Sequence, residues 1–441
     1  MAVTVRTTPV VERSRQAPEL PPWRRVRQNL PHRGVPSAAQ AVRDELSKPE
    51  IASRIRPGAR VAIGAGSRGI KCLQEVVTAL VAGLRERGAE PFVVPAMGSH
   101  GGGTADGQRE VLASYGVTEE HVGAPIRASM DTVELGTVLD GVEVFIDRLA
   151  YTEADLIVPV ARVKPHTDFR SDIESGLHKM LVIGFGKHRG ASYVHTFPLE
   201  RFGEMITAGG QLVLSKAPVG FGIAIVEDSY EDPAIIEAVP GEAFASREPE
   251  LLEHAKAWLP RLPFEACDIL LVQELGKNVS GAGMDPNVTG RFPLESIPKP
   301  VQVQWVAVLD LTEETHGNAC GIGTADLTTR RAVDKIDLAA TYTNHVTAQL
   351  LPGAKLPLIA ETDREALTIA SATLRRRPPE TARIAWIKNT LELLELRLSE
   401  PLWEEARAHQ GDGGSSPTGK GLEPLGEPEP IGFDEAGALL A

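Results

Sequence analysis

The chain has 441 residues, 42% hydrophobic and 24% charged, an ordinary mixture for a folded protein of about two to three domains. Lysine and arginine number 46 against 59 aspartate and glutamate, and this net charge of -13 argues against a long nucleic-acid footprint and favours a small-molecule or protein partner. Three cysteines without a CxxC pair support neither a disulfide framework nor a thiolate zinc site. No apolar run approaches the roughly 18 residues of a membrane span, and the N-terminus lacks a secretory apolar core. We therefore expect a cytoplasmic protein that binds neither nucleic acid nor membrane.

Strand and helix patterns alternate along the first half of the chain. Residues 60–65 form a short apolar run typical of a strand, and apolar residues at helical spacing over 73–84 predict a helix behind it. A second strand is expected at residues 91–96, followed by a glycine-rich loop and a helix capped by Thr104. Residues 155–160 predict a third buried strand, with a long loop and a helix around residues 173–183 after it. This alternation predicts an α/β fold.

A pair of prolines, Pro260 and Pro263, marks the expected domain boundary, since a helix ends before them and new strands begin at residues 268–272 and 303–309. Both chain ends are rich in proline, glycine and charged residues without apolar periodicity. The expected divisions are a flexible N-terminal tail at 1–35, an α/β catalytic and cofactor domain at 36–262, an α/β domain at 263–405 and a flexible tail at 406–441.

Each of the first three predicted strands is followed by a loop that carries a chemically useful side chain, namely Arg68, His100 and His166. In open α/β sheets, ligands bind outside the carboxyl ends of the strands. We therefore expect these three side chains to converge on one crevice. Taken singly, a loop arginine is usually a solvated charge and a loop histidine an exposed or capping group.

Histidines are concentrated after the third predicted strand. Four of the eleven lie within 30 residues, at His166, His178, His188 and His195. Imidazole serves acid–base chemistry and metal binding, but no spacing here makes a self-contained zinc motif. His188, in a basic segment with Lys187 and Arg189, fits a surface residue.

Lys179 lies inside the apolar run 176–183, where a solvated lysine is unexpected. Buried lysines are costly unless paired, and they often bond covalently to cofactors. The alternative is a helix lysine whose stem lies along apolar surface while its ammonium reaches solvent.

Glycine-rich loops suggest competing functions. Residues 64–69 match GxGxxG between a strand and a helix, but the next strand does not end in the acidic residue that a dinucleotide site needs. An NAD-dependent oxidoreductase and a non-catalytic small-anion binding protein therefore remain the alternatives. In the second half, Lys277 is a cation in a glycine-rich loop, suited to an anionic ligand group.

Four segments make the sequence similar to the nickel-pincer lactate racemase family, the nickel-dependent racemases and epimerases of 2-hydroxy acids. They are GSRGI at 66–70, GSHGG at 98–102, KPHTDFRSDIESGLHKML at 164–181 and GKNVSGAGMDPNVTGR at 276–291. The similarity extends over roughly residues 40–400. It implies two α/β domains with the active site in the cleft between them, and a lactate-like or sugar-acid-like substrate. It also implies a nickel-pincer nucleotide, a pyridinium-3-thioamide-5-thiocarboxylic acid mononucleotide with nickel, and cofactor biosynthesis proteins as partners.

The resemblance also implies a role for each candidate residue. These roles are cofactor attachment at Lys179, cofactor and nickel binding by His195, acid–base catalysis by His100 and His166, and substrate binding by Arg68 and Lys277. The sequence departs from the lactate enzyme in the glycines after His100, in a longer interval from His166 to Lys179, and in the extra imidazole of His178. These differences bear on the substrate more than on the chemistry.

Overall fold

A computed structural model describes residues 18–67, 69–409 and 421–440. Two compact units divide the described chain. The central unit comprises His32–Leu259, and the terminal unit comprises residues 18–31 with the described residues from Pro260 onward. Both combine strands and helices, which confirms the predicted α/β class. Among the described residues, no helix has both the length and the apolar character needed to cross a membrane.

The strands of the described residues are, in chain order, β1 (Trp23–Gln28), β2 (Arg60–Ala65), β3 (Glu90–Pro95), β4 (Thr132–Val138), β5 (Val142–Asp147), β6 (Leu156–Arg162), β7 (Phe221–Glu227), β8 (Pro233–Pro240), β9 (Ala266–Val272), β10 (Gln302–Val308), β11 (Leu327–Thr329), β12 (Leu358–Ala360), β13 (Ile384–Ile387), β14 (Glu395–Ser399) and β15 (Leu422–Pro424). The α-helices are α1 (Ala38–Ser47), α2 (Pro49–Ala52), α3 (Leu73–Glu86), α4 (Ala105–Ser114), α5 (Glu119–Val122), α6 (Arg148–Glu153), α7 (Leu177–Lys179), α8 (Lys187–Val194), α9 (Phe202–Lys216), α10 (Phe244–Trp258), α11 (Pro286–Thr289), α12 (Arg330–Asp334), α13 (Leu338–Ala348), α14 (Asp363–Ala372) and α15 (Glu400–His409).

The central unit is built on a five-stranded sheet in the order β3-β2-β6-β7-β8. The first four strands are parallel and β8 is antiparallel to β7. Alternate residues of β2 enter different cores: Val61 and Ile63 pack with α1 and α3, whereas Ala62 packs with α9 and α10. The sheet is therefore covered on both faces, which is why its strands are apolar runs rather than alternating patterns.

The order of the strands creates a topological switch point. From β2 the chain passes through α3 to β3 on one side, and it later returns to β6 on the other side of β2. Ligands of open α/β sheets bind at such a point, outside the carboxyl ends of the strands. The loops after β2, β3 and β6 are therefore the region in which a site is expected.

The predicted helix over 173–183 is wrong in form. Gly176, with φ +87°, precedes the three-residue helix α7, and a π-helical turn, Met180–Gly184, continues it. Apolar residues alone do not distinguish a π turn from an α-helix. Such turns inside helices are frequent at functional sites.

The terminal unit contains an eight-stranded sheet in the order β12-β11-β10-β9-β13-β14-β1-β15. The prediction of flexible tails is wrong for residues 23–28 and 422–424. These residues form β1 and β15, which pair with each other, and β1 also pairs with β14. Trp23 stacks on Trp386 at 5.5 Å between ring centroids, and Val26 is fully buried. The arginines of β1 concealed this apolar face in the sequence. The tail predictions for residues 1–17 and 410–420 lie outside the described residues.

Candidate functional site

The loops that follow β2 and β3 bring two polar side chains into contact. The hydroxyl oxygen of Ser67 lies 2.5 Å from Nδ1 of His100. Tyr115 donates its hydroxyl hydrogen to the backbone oxygen of Ser67 at 2.9 Å, which ties helix α4's end to the loop after β2. His100 therefore lies beside the loop in which Arg68 was predicted to bind substrate, and Arg68 itself lies outside the described residues.

A buried lysine, Lys187, contacts the last residue of β3. Lys187 is fully buried, lies 2.9 Å from the carboxylate of Asp147, and donates to the backbone oxygen of Pro95. Its ammonium also donates to the side-chain oxygen of Gln108 at 3.4 Å. Burial lowers the pKa of Lys187, while Asp147 acts in the opposite direction. The expectation of a basic surface segment is therefore wrong for Lys187.

Gln108 connects this lysine to the His100 loop. Its amide nitrogen donates to the backbone oxygen of Gly98 at 2.9 Å and to that of His100 at 3.3 Å. On the other side of the loop, the Gly98 amide donates to the backbone oxygen of Gly184 at 3.2 Å. Since buried hydrogen bonds resist displacement, the backbone that carries His100 is fixed from two sides.

His166 lies on the loop after β6, where a buried carboxylate organises the backbone. Glu174 is fully buried, accepts from the His166 amide at 2.8 Å and lies 3.4 Å from the guanidinium of Arg170. The Asp168 amide donates to Nδ1 of His166 at 3.1 Å, and the imidazole packs on Phe169 with centroids 4.3 Å apart. The imidazole is thus oriented by its own loop.

Lys179 is held in place by a carboxylate beneath its helix. Glu248 accepts from the backbone amides of Leu177 and His178 and contacts Nδ1 of His178. His178 is fully buried, whereas Lys179, one residue later, is half-buried. Because successive helix residues point about 100° apart, the buried anchor of His178 directs Lys179 elsewhere. His178 is thus a structural residue.

The π turn after Lys179 and the Phe185 that follows it pack on Gly64 near the end of β2 and on Gly66 in the loop after it. The Phe185 ring fills the space that a Cβ at Gly64 would occupy, and the Met180 methyl lies 2.9 Å from where a Cβ at Gly66 would stand. Side chains of the protein itself therefore fill the space beside two glycines of the motif at residues 64–69. In a dinucleotide site these glycines would bring the backbone close to a pyrophosphate.

A row of ring contacts runs from His166 to His195, of which the first two are tilted and the last is stacked. Centroids are 4.3 Å apart for His166 and Phe169, 5.3 Å for Phe169 and Phe202, and 5.5 Å for Phe202 and His195. His195 caps the end of α8. These contacts connect His195 and His166 through two phenylalanine rings of the central unit.

His195 and Lys179 interact electrostatically. Burial first, and then the positive charge of Lys179, lower the pKa of His195 to about 4. At neutral pH this imidazole is uncharged and keeps a lone pair, the state that metal binding requires. Among the described residues, no three His, Cys, Asp or Glu side chains are grouped so as to hold a metal ion.

Lys277 belongs to the terminal unit, in the loop after β9. Its ammonium donates to the backbone oxygen of Gly281 at 2.6 Å and lies 3.8 Å from the sulfur of Cys320. The backbone amide of Lys277 donates to the hydroxyl of Thr315 at 3.1 Å. The loop therefore presents an oriented cation, and its approach to substrate stays a prediction.

Sequence reasoning missed Ser67, Gln108 and Lys187. Ser67 lies inside the GSRGI segment, so its position next to a candidate residue was the one available signal. Nothing in the sequence indicated that Gln108 or Lys187 would reach the His100 loop, because both contacts depend on tertiary packing.

The central unit thus defines a class: an open, mostly parallel α/β sheet with histidine-bearing loops at its carboxyl edge. No protein-family model matches the chain. No curated protein matches it either. Among solved structures, it is similar to the lactate racemase apoprotein from Thermoanaerobacterium thermosaccharolyticum, with a TM-score of 0.53 and 16% identity over 83% of this chain and 94% of that one. It is also similar to a protein from Thermotoga maritima, with a TM-score of 0.47 and 15% identity over 63% of this chain and 72% of that one. The likeness to the lactate racemase apoprotein supports a fold of that kind.

Proposed function

We propose that the protein is an isomerase that racemises or epimerises a 2-hydroxy acid, with a lysine-tethered nickel-pincer nucleotide as cofactor. The observation that carries the proposal is the arrangement at the switch point. His100 and His166 follow the strands on either side of β2, and a row of ring contacts runs from His166 to His195, whose pKa is lowered by burial and by the charge of Lys179.

The residues present fit this cofactor. Lys179 would carry it through the side-chain nitrogen, and His195 would bind nickel through its uncharged imidazole. Imidazole, together with the sulfur that the cofactor would supply, is a donor set suited to nickel(II). When bound, the cofactor supplies a hydride acceptor, a chemistry that protein side chains do not offer.

Two imidazoles suit an inversion at carbon. Since strands lie about 4.8 Å apart, the ends of β3 and β6 are separated by about 10 Å, and a small hydroxy acid would lie between His100 and His166. One imidazole would accept the hydroxyl proton and the other would donate a proton from the opposite side. Arg68 would pair with the substrate carboxylate, and Lys277 would add a second cation.

The glycine loop argues against the oxidoreductase alternative. Met180 occupies the space at Gly66, the second glycine of the motif, that a dinucleotide site keeps open for the pyrophosphate. A cytoplasmic enzyme that receives its cofactor from dedicated biosynthesis proteins, with a lactate-like or sugar-acid-like substrate, remains the proposal.

Racemisation by the loaded protein tests this function. Chain produced with the cofactor biosynthesis proteins is incubated with single enantiomers of hydroxy acids, and the products are separated on a chiral column. We expect turnover for at least one acid, and a loss of about 100-fold or more in the His100→Ala and His166→Ala variants. His254→Ala, which removes an exposed imidazole on α10, is the matched control and should retain full activity. Equal activity of all variants would contradict the assigned roles.

A further inference from the structure

We propose that Gln108 is a positioning residue, which fixes the His100 loop (residues 97–103) against the segment 179–195. That segment begins at Lys179 and ends at His195, the two residues that would hold the cofactor. The catalytic meaning of the contact therefore rests on the proposed function. The contact itself rests on hydrogen bonds of buried side chains and on close packing, all within the central unit.

Gln108 is a polar residue on the buried face of a helix. It has no solvent exposure on α4, whose other buried residue is Leu112, one turn later. A side-chain amide is costly to bury unless its nitrogen and its oxygen both find partners. The nitrogen donates to the backbone oxygens of Gly98 at 2.9 Å and His100 at 3.3 Å, and the oxygen accepts from Lys187 at 3.4 Å. Because carbonyl oxygens only accept and an ammonium only donates, a single orientation of the amide satisfies all three contacts.

Lys187 joins Gln108 to the segment 179–195. It is the first residue of α8, the helix that His195 caps at its other end. Its buried ammonium lies 2.9 Å from the carboxylate of Asp147, which compensates the charge in the interior. The same ammonium donates to Gln108 and to the backbone oxygen of Pro95, the last residue of β3. The helix that leads to His195 is therefore connected through Lys187 and Gln108 to the backbone of the His100 loop.

The His100 loop and the segment 179–195 also touch directly. The Gly98 amide donates to the backbone oxygen of Gly184 at 3.2 Å. Gly98 has φ +59°, and a Cβ there would lie 3.3 Å from a methyl group of Ile183 and 3.4 Å from the Cβ of Ala191. The two backbones thus approach so closely that the loop can shift against the segment only when buried hydrogen bonds break.

Gln108 acts on the loop of His100 and not on that of His166. It donates to the backbone oxygen of His100 itself, whereas the backbone amide of His166 is held by Glu174. Without the Gln108 amide, two carbonyl oxygens lose a hydrogen bond and the His100 loop gains freedom to move against the segment 179–195. A displaced acid–base group slows the chemical step more than it weakens substrate binding. Gln108 would thus keep His100 in place relative to the cofactor.

Hydrogen–deuterium exchange of the full-length, cofactor-free protein, followed by mass spectrometry of its peptides, tests the contact. Gln108→Glu keeps the size of the side chain and an acceptor for Lys187, but its carboxylate has no N–H for the two carbonyl oxygens. We expect amide exchange in the His100 loop to become about fivefold faster or more, while the His166 loop at 163–175 keeps the rate of the parent. Gln108→Met, which also loses the Lys187 contact, should have at least the same effect. Gln211→Met, which removes an exposed glutamine on α9, is the matched control and should change neither loop.

An unchanged exchange rate of the His100 loop in both Gln108 variants would overturn the proposal. Equal acceleration in the His100 and His166 loops would overturn it as well, since Gln108 would then stabilise the unit as a whole. The unaltered protein decides the matter even where neither variant folds, because a His100 loop that exchanges as fast as an unstructured chain is not held by any contact.

The kinetics of the loaded enzyme test the catalytic meaning separately. Gln108→Glu should lower kcat per bound nickel about tenfold with KM little changed, because His100 is displaced while the groups that bind substrate stay in place. An unchanged kcat in a variant whose loop exchanges faster would remove Gln108 from the positioning of His100. Exchange rates that follow the prediction in a protein that racemises no hydroxy acid would contradict only the proposed function.

Discussion

At the scale of single residues, Lys187 and Asp147 form an ion pair in which neither side chain is exposed to solvent. Removing one partner of such a pair leaves an uncompensated charge in the interior. The sequence KHRG is typical of a basic surface, but Lys187 has a backbone φ of +55° and its ammonium contacts Asp147 and the Pro95 backbone oxygen in the interior. Sequence reasoning therefore had no means to find this residue.

Lys187→Met should lower the free energy of unfolding by about 3–5 kcal/mol, since Asp147 loses its counter-charge. The double variant with Asp147→Asn should recover part of that loss. Urea titration followed by circular dichroism measures both. Lys216→Met, which removes an exposed lysine at the end of α9, serves as control and should stay within about 0.5 kcal/mol of the parent. A Lys187→Met protein as stable as the control would show that the pair contributes nothing.

His195 should make the cofactor-free protein less stable in acid. Its pKa is about 4 in the folded chain and 6.5 as a model value, so between these values the unfolded state binds more protons. Stability due to this group is complete above pH 6.5 and falls as the pH drops towards 4. The expected loss is about 2 kcal/mol between pH 6.5 and 4.5.

Urea unfolding at these two pH values measures that slope. His195→Gln should lose about 2 kcal/mol less than the parent over the interval, because glutamine does not titrate. His254→Gln, at an exposed site on α10, should keep the parent's slope. An unchanged slope in His195→Gln would mean that this imidazole is not the group responsible.

At the scale of elements, the carboxyl end of β2 and the loop after it pack against the π turn and Phe185. Gly64→Ala should lower the free energy of unfolding by about 1–3 kcal/mol, because its methyl group would overlap the Phe185 ring. Combination with Phe185→Leu should recover part of the loss, since the smaller side chain leaves room. Thermal unfolding of the single and double variants reads out the coupling. Gly426→Ala, with open space around it, is the control. Purely additive effects at the two positions would contradict the contact.

A strand could be predicted where its own residues form an apolar run, but not where it depends on a partner far away in the chain. β2, β3 and β6 are apolar because both faces of their sheet are covered, so their apolar runs indicated them in the sequence. β1 was missed because its partner β14 lies far away in the chain. The residues of the candidate site differ in the same way. His100 and His166 could be proposed because they follow predicted strands, whereas Ser67 is recognised only by its contact with His100 in the structure.

At the scale of the whole molecule, the central claim is that Lys179 and His195 hold a nickel-containing cofactor. The likeness to the lactate racemase apoprotein supports the fold, and we propose that the lysine would attach the cofactor and the uncharged imidazole would bind nickel. His195→Gln should keep a covalent adduct but retain less nickel, because His195, and not Lys179, would contact the metal. Nickel analysis after gel filtration measures this, and unaltered nickel content would remove His195 from the metal site.

The most direct measurement is intact-protein mass spectrometry with nickel analysis, on chain produced together with the cofactor biosynthesis proteins. We expect a mass adduct that peptide mapping places on Lys179, bound nickel, and neither in Lys179→Arg, which keeps the charge but cannot form the link. An unmodified, nickel-free chain, under conditions that load a lactate racemase, would contradict the account.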